Sequence, residues 1–166
     1  MSALIAEGKA VVVLEACRKT GIMIATAESC TGGLIAGALT DIAGSSDVVD
    51  RGFVTYSNEA KNEMIGVPME LIDRFGAVSK EVAISMAEGA LQHSRADISV
   101  AVTGIAGPGG GSEAKPVGLV HIASARKGYP TLQREYRFGP KSRTEIRHVT
   151  VVSALELVLK NLQATP

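Results

Sequence analysis

Ser29 and Cys30 put two nucleophile-type side chains into one short turn, Thr26-Ala27-Glu28-Ser29-Cys30-Thr31-Gly32-Gly33. The turn separates an apolar run, Ile22–Ala27, from an amphipathic pattern that continues to Ala43. A strand that breaks sharply into a helix leaves backbone N–H groups without partners at the helix start. Together with the positive end of the helix dipole, such donors can hold an anion or a developing oxyanion. Gly32 and Gly33 allow close backbone approach and unusual dihedrals. This is how a nucleophile elbow works, although the order is not G-x-S-x-G. A plainer reading makes Ser29 or Thr31 the capping side chain of the following helix. The two readings are compatible.

A serine hydroxyl is inert at its free pKa and needs a base. The three histidines are poorly placed: His93 ends a long helix pattern, His121 lies within a strand, and His148 lies in the last helix. Lys61 is better placed, one helical turn beyond Ser57-Asn58 and able to reach back to the end of the Tyr56 strand. A lysine base must be partly neutral, which desolvation can bring about. Tyr56 could then carry the proton between Ser29 and Lys61. Thr103-Gly104, at the end of another apolar strand, opens the glycine-rich stretch 104–111. That stretch lacks G-x-G-x-x-G at a strand–helix turn, so a dinucleotide fingerprint fails. Gly139-Pro140-Lys141-Ser142 imitates the end of a phosphate loop, but Arg134 stands where the first glycine is required. Arg143 and Arg147 lie one turn apart on one helix face. Two guanidiniums so placed suit a phosphate, or else a solvated face or an ion pair with Glu145.

These residues need a scaffold. Residues 3–19 read as a helix stopped by Gly21, 22–27 as a buried strand, and 32–43 as a helix ended by Gly44. A strand at 53–56 leads to a short helix at 59–65, a helical turn at 69–74 and a long helix from Ser79 to about Ser94. Residues 98–102 read as a central strand. Strands at 117–125 and 132–138, separated by Gly128 and Pro130, form a hairpin. Ser142-Arg143-Thr144-Glu145 is a capping box opening a final helix to about Leu162. Helices and strands alternate until a strand pair appears. The expectation is one domain, a three-layer α/β/α sandwich on a mixed, mostly parallel sheet. Ligands of such sheets sit beyond the carboxyl ends of the strands.

The 166 residues carry 17 basic and 17 acidic side chains, no Trp, three Tyr and three Phe. Balanced charge and scarce aromatics argue against nucleic-acid or membrane partners. Cys17 and Cys30 are too few and too far apart for a metal knuckle. No signal peptide or membrane span is visible, so a reducing, cytoplasmic setting is expected.

Three stretches together carry a resemblance: Ala27-Glu28-Ser29-Cys30-Thr31-Gly32-Gly33; Tyr56-Ser57-Asn58 with Lys61; and Thr103-Gly104-Ile105-Ala106-Gly107-Pro108 running to Lys115-Pro116-Val117-Gly118. Gly76-Ala77-Val78-Ser79 and the Arg143/Arg147 pair match as well. The chain resembles the C-terminal domain of the competence/damage-inducible CinA proteins, and within that family the stand-alone nicotinamide-nucleotide amidohydrolases. The likeness spans nearly the whole chain. It implies an α/β/α fold and hydrolysis of the carboxamide of nicotinamide mononucleotide to nicotinate mononucleotide and ammonia. It implies Ser29 as nucleophile with Lys61 and Tyr56 handling the proton. It puts Thr103, Gly104, Arg143 and Arg147 near substrate, and implies no metal and no cofactor. Longer members carry an extra N-terminal domain resembling molybdopterin-binding proteins, whose activity is not expected here.

The turn Cys30-Thr31-Gly32-Gly33 is expected to bind the oxyanion through its N–H groups. Two competing readings make Cys30 the nucleophile, or make the chain a nucleotide-binding or regulatory module without turnover. The expected partner is a small-molecule nucleotide. A homo-oligomer, most simply a dimer, is a further expectation; apolar residues at Met64-Ile65 or on the last helix are read either as its seam or simply as core.

Overall fold

The computed structural model describes residues 2–166. The elements are α1 (Ser2–Thr20), β1 (Ile24–Glu28), α2 (Leu34–Thr40), a 3-10 turn (Ser45–Asp47), β2 (Val49–Val54), α3 (Asn58–Ile65), α4 (Met69–Phe75), α5 (Lys80–Gln92), β3 (Ile98–Gly104), β4 (Leu119–Arg126), β5 (Leu132–Arg137) and α6 (Arg143–Leu162). One mixed sheet has the order β2-β1-β3-β4-β5. β2, β1 and β3 are parallel, and β4 runs antiparallel to both its neighbours.

The two sheet faces are built from different residues, because side chains alternate along a strand. Ile24, Ile98, Val100, Val102, Val120 and Ile122 pack under α1, α2 and α6. The opposite face carries Ala27, Ala101, Ala123 and Ala125 beneath Val82, Ala83, Met86 and Ala87 of α5. Small residues on both partners let α5 lie close to the strands, and Ser99 Oγ donates to Ala87 O across 2.6 Å. The result is the expected three-layer α/β/α sandwich.

β1 connects to β2 through α2 on one face, while β2 connects to β3 through α3, α4 and α5 on the other. The chain therefore leaves two adjacent strands toward opposite faces, which opens a crevice at their carboxyl ends. Ser29 follows β1 there, and Thr55 and Tyr56 follow β2.

Several boundaries move. β1 starts at Ile24 because Ile22 N–H donates to Cys17 O and closes the end of α1 behind Gly21, whose φ is +66°. β2 begins at Val49, earlier than expected, since its register with β1 starts at Ile24↔Val49. α2 starts at Leu34, after Gly32 and Gly33, both at positive φ. The capping box at Ser142 and Glu145 is present. Ile65 is core, not surface, while Met64 is 41% exposed. The apolar face of α6 is spent on the sheet. Among the described residues no helix is long and apolar enough to cross a membrane.

Candidate active site

Ser29 stands one residue beyond the last residue of β1. Its N–H donates to Val102 O (3.1 Å), and Thr55 N–H donates to Glu28 O (2.9 Å). The turn is thus anchored to the strands on both sides. Gly32 N–H donates to Ser29 O (3.0 Å) and closes the turn. Gly33, the N-cap of α2, offers no capping side chain. The cap comes from Glu28 instead, only 1% exposed. Its Oε1 accepts from Thr31 Oγ1 (2.6 Å) and Ile35 N–H (2.8 Å), and its Oε2 accepts from Ala36 N–H (3.0 Å). A carboxylate at a helix N-terminus satisfies orphan donors and the dipole at once. Neither Ser29 nor Thr31 caps α2: the Ser29 hydroxyl is left for other work, and that of Thr31 is spent on Glu28.

Lys61 sits in the first turn of α3, whose N-cap Ser57 accepts from Ala60 N–H (3.0 Å). Its side chain runs inward and is 1% exposed. Nζ lies 3.1 Å from Ser29 Oγ, 2.9 Å from Thr55 O and 3.3 Å from Tyr56 O. Among the described residues no carboxylate lies within ion-pair distance of it. Burial without a counter-charge disfavours the ammonium and lowers the Lys61 pKa, with the neighbouring Cys30 a smaller opposing influence. A neutral amine has two N–H donors and one lone pair. Two carbonyls for the donors and one hydroxyl for the lone pair match that inventory.

Tyr56 is placed otherwise than expected. Its carbonyl faces Lys61, but its side chain is 60% exposed and its hydroxyl accepts from Arg143 Nη2 (3.1 Å). The amine meets the Ser29 hydroxyl directly, with no phenol between them. Arg143 also donates to Gly107 O (2.8 Å), joining α6, the tyrosine and the glycine-rich loop. A cavity of about 260 Å³ opens beside Ser29 and is lined by Cys30, Tyr56, Gly104, Gly107 and Arg143 among others. It falls just under the range of about 300–1,000 Å³ for ligand pockets, so a small reacting group fits inside and a larger ligand extends past the mouth. A larger cavity of about 470 Å³, lined by Leu4, Leu34, Ile42 and Val151, lies between α1, α2 and α6 and contains neither Ser29 nor Lys61.

The remaining expected residues divide. Gly104 and Cys30 line the cavity with Ser29. Burial pushes the Cys30 thiol up to about 11, against the thiolate a cysteine nucleophile requires. Thr103 is buried and its hydroxyl donates to Ala77 O (2.8 Å), so it braces the loop before α5 instead of facing the cavity. Gly33 lines the larger cavity on the far side of the turn. Arg147 does not join Arg143: its guanidinium grips the carbonyls of Cys30 and Thr31. Glu145 pairs with neither arginine and bonds the Ser142 N–H (3.3 Å). The sequence reading missed Glu28. Its signal was an acidic residue ending an apolar strand, ahead of a helix whose N-cap glycine has no capping group.

Known proteins share this arrangement of elements. The structure of the competence/damage inducible protein CihA from Agrobacterium tumefaciens superposes with a TM-score of 0.93 at 57% identity, covering 96% of each chain. A competence-damaged protein (CinA) superfamily structure from Escherichia coli gives 0.89 at 32% identity, covering 94% of this chain and 90% of that one. A CinA-like protein of Geobacter sulfurreducens is 50% identical over 145 residues, 87% of this chain and 35% of its own length. This chain thus spans about a third of the curated relatives it matches. The CinA C-terminal domain family matches residues 6–162, and the chain belongs to that family.

Proposed function

We propose that the chain hydrolyses the carboxamide of nicotinamide mononucleotide, releasing nicotinate mononucleotide and ammonia. The observation that carries the chemistry is the 3.1 Å approach of a buried, counter-charge-free lysine amine to a serine hydroxyl at a strand–helix turn. The choice of substrate rests on the resemblance of the Ser29, Tyr56/Lys61 and Thr103–Gly118 stretches to the nicotinamide-nucleotide amidohydrolases.

Ser29 Oγ adds to the amide carbon while Lys61 takes its proton. The oxyanion is held by N–H groups of the 30–33 turn. One such donor is worth roughly 2.7–4 kcal/mol of barrier. The Lys61 ammonium, steadied by the carbonyls of Thr55 and Tyr56, returns its proton to the leaving nitrogen. The C–N bond breaks and ammonia departs. Water then attacks the acyl-enzyme, giving a proton to Lys61 that passes back to Ser29 Oγ as the acid leaves. Tyr56 and Arg143, at the mouth, meet the part of the substrate outside the cavity.

Ammonia release on adding nicotinamide mononucleotide tests this directly. Ser29→Ala should lower kcat by at least about 10³-fold, the scale of removing a catalytic nucleophile, with an unchanged melting temperature. Tight binding of the nucleotide with no ammonia from the wild type would make the chain a binding module.

A further inference from the structure

Arg147 shares a helix face with Arg143, yet the fold gives it different work. Its Nε donates to Cys30 O (3.1 Å) and its Nη2 to Thr31 O (3.3 Å). It does not line the cavity beside Ser29. Among the described residues no carboxylate is ion-paired with it. We infer that Arg147 is a positioning residue that orients the oxyanion-binding peptide of the Ser29 turn.

The argument is one of peptide geometry. In a trans peptide the C=O and N–H point in opposite directions. The Cys30 carbonyl and the Thr31 N–H belong to one such unit, so a guanidinium holding the carbonyl turns the N–H away from itself. The neighbouring unit, Thr31 C=O with Gly32 N–H, is fixed at both ends: Arg147 takes the carbonyl, and the N–H donates to Ser29 O. Thr31 N–H has no acceptor among the described residues. It is a donor held in place and left unused, in the peptide that joins Cys30, which lines the cavity, to Thr31, which is buried behind that lining.

The charge adds to the effect. A cation bonded to a carbonyl polarises that peptide and strengthens its N–H as a donor. Gly32 makes the contact possible: its φ is +58°, and a Cβ there would stand 3.2 Å from Arg147 Nη2. Glu28 holds the other side of the same turn through the Thr31 hydroxyl. The turn is gripped by the Arg147 guanidinium on two of its carbonyls and by the Glu28 carboxyl on the Thr31 hydroxyl.

The inference rests on the hydrolase reading, and the experiment separates the two. kcat and KM are measured for Arg147→Met and Arg147→Lys on nicotinamide mononucleotide and on nicotinamide riboside, which lacks the phosphate. Ser29 acylation by p-nitrophenyl acetate is followed in parallel. Arg147→Met should lose about 10²-fold in kcat, the scale of one oxyanion donor, equally on both amides and with little change in KM. Arg147→Lys, which keeps one charged donor, should recover part of that loss. Should Arg147→Met fail to fold, Arg147→Gln, which removes the charge but leaves the turn's own residues untouched, is measured in its place and should likewise lose kcat equally on both amides. A rise in KM confined to the phosphorylated substrate would make Arg147 a phosphate ligand and overturn the inference. So would an unchanged kcat, or a loss that merely follows the melting temperature. If the wild type ignores both amides but is acylated by the ester, the substrate reading falls and Arg147 is judged on the ester burst. If Ser29 reacts with neither, both readings fall together.

Discussion

Lys61 is the side chain on which a pH dependence can be built. Its ordinary value is 10.5, and burial lowers it. Only the neutral amine can accept the Ser29 proton, so kcat/KM should rise with pH along a limb whose midpoint lies below 10.5 and is lost as pH falls through it. The same shift has a stability sign. Between the folded and unfolded values of Lys61 the unfolded chain binds more protons, so stability rises with pH in that window. The wild type should therefore gain on a Lys61→Met variant as pH climbs from neutrality toward 10.5, in chemical denaturation at several pH values. Parallel curves would mean a solvated amine. Cys30→Ser should keep near wild-type turnover, because its thiol is pushed up to about 11 and cannot serve as a thiolate; a large loss in an ammonia assay would reinstate it. At this scale the Ser29–Lys61 pairing was legible, since residue type and a one-turn offset suffice to propose it. The tasks of Tyr56, Thr103 and Arg147 were not. Each depended on which carbonyl or guanidinium the side chain met, and those partners lie 26 to 117 residues away in sequence.

Elements place these side chains through a few close contacts. α3 carries Lys61, and the end of α3 rests on α5 at Gly89. A Cβ on Gly89 would collide with Ile65 O, the carbonyl of the last residue of α3. Gly89→Ala should thus push α3 outward. The expected cost is about 1–3 kcal/mol, typical of overpacking, and activity should fall further than stability because the amine retreats from Ser29. Thermal melts and ammonia release on the same preparation check both. Helix identities were legible from caps and periodicity: Ser142 caps α6 as read, and Ser79, read as the start of the long helix, is the N-cap of α5. β2 was harder. As an edge strand it carries Asp50 and Arg51, which break the apolar pattern, and only pairing with β1 reveals its start. The length of α2 was overestimated at both ends: two successive left-handed glycines delay its first residue to Leu34, and the helix ends at Thr40, three residues before Ala43.

The whole molecule gathers the site from residues 28 to 147 of one chain, across β1, β2, α3, the loop after β3, and α6. The crevice follows from strand order, which no local pattern encodes; the sequence showed three chemically loaded strand ends but not which were neighbours. Since every residue of the proposed machinery lies within the CinA C-terminal match, the corresponding third of the longer relatives should hydrolyse the amide when expressed alone. Ammonia release by the excised piece, compared with the full-length protein at equal molarity, measures this. Inactivity of a folded piece would show that the rest of the chain completes the site.

Two of the three groups around the Lys61 amine, the oxygens of Thr55 and Tyr56, belong to the main chain. A point mutation exchanges a side chain and cannot erase a main-chain oxygen. The amine's surroundings are therefore inherited from the route the polypeptide takes out of β2, not from the letters written there. Drift at Tyr56, the one of the two whose side chain lines the cavity, can reshape the opening while the amine behind it keeps its main-chain partners, so the proposed chemistry would outlast a change in what is admitted.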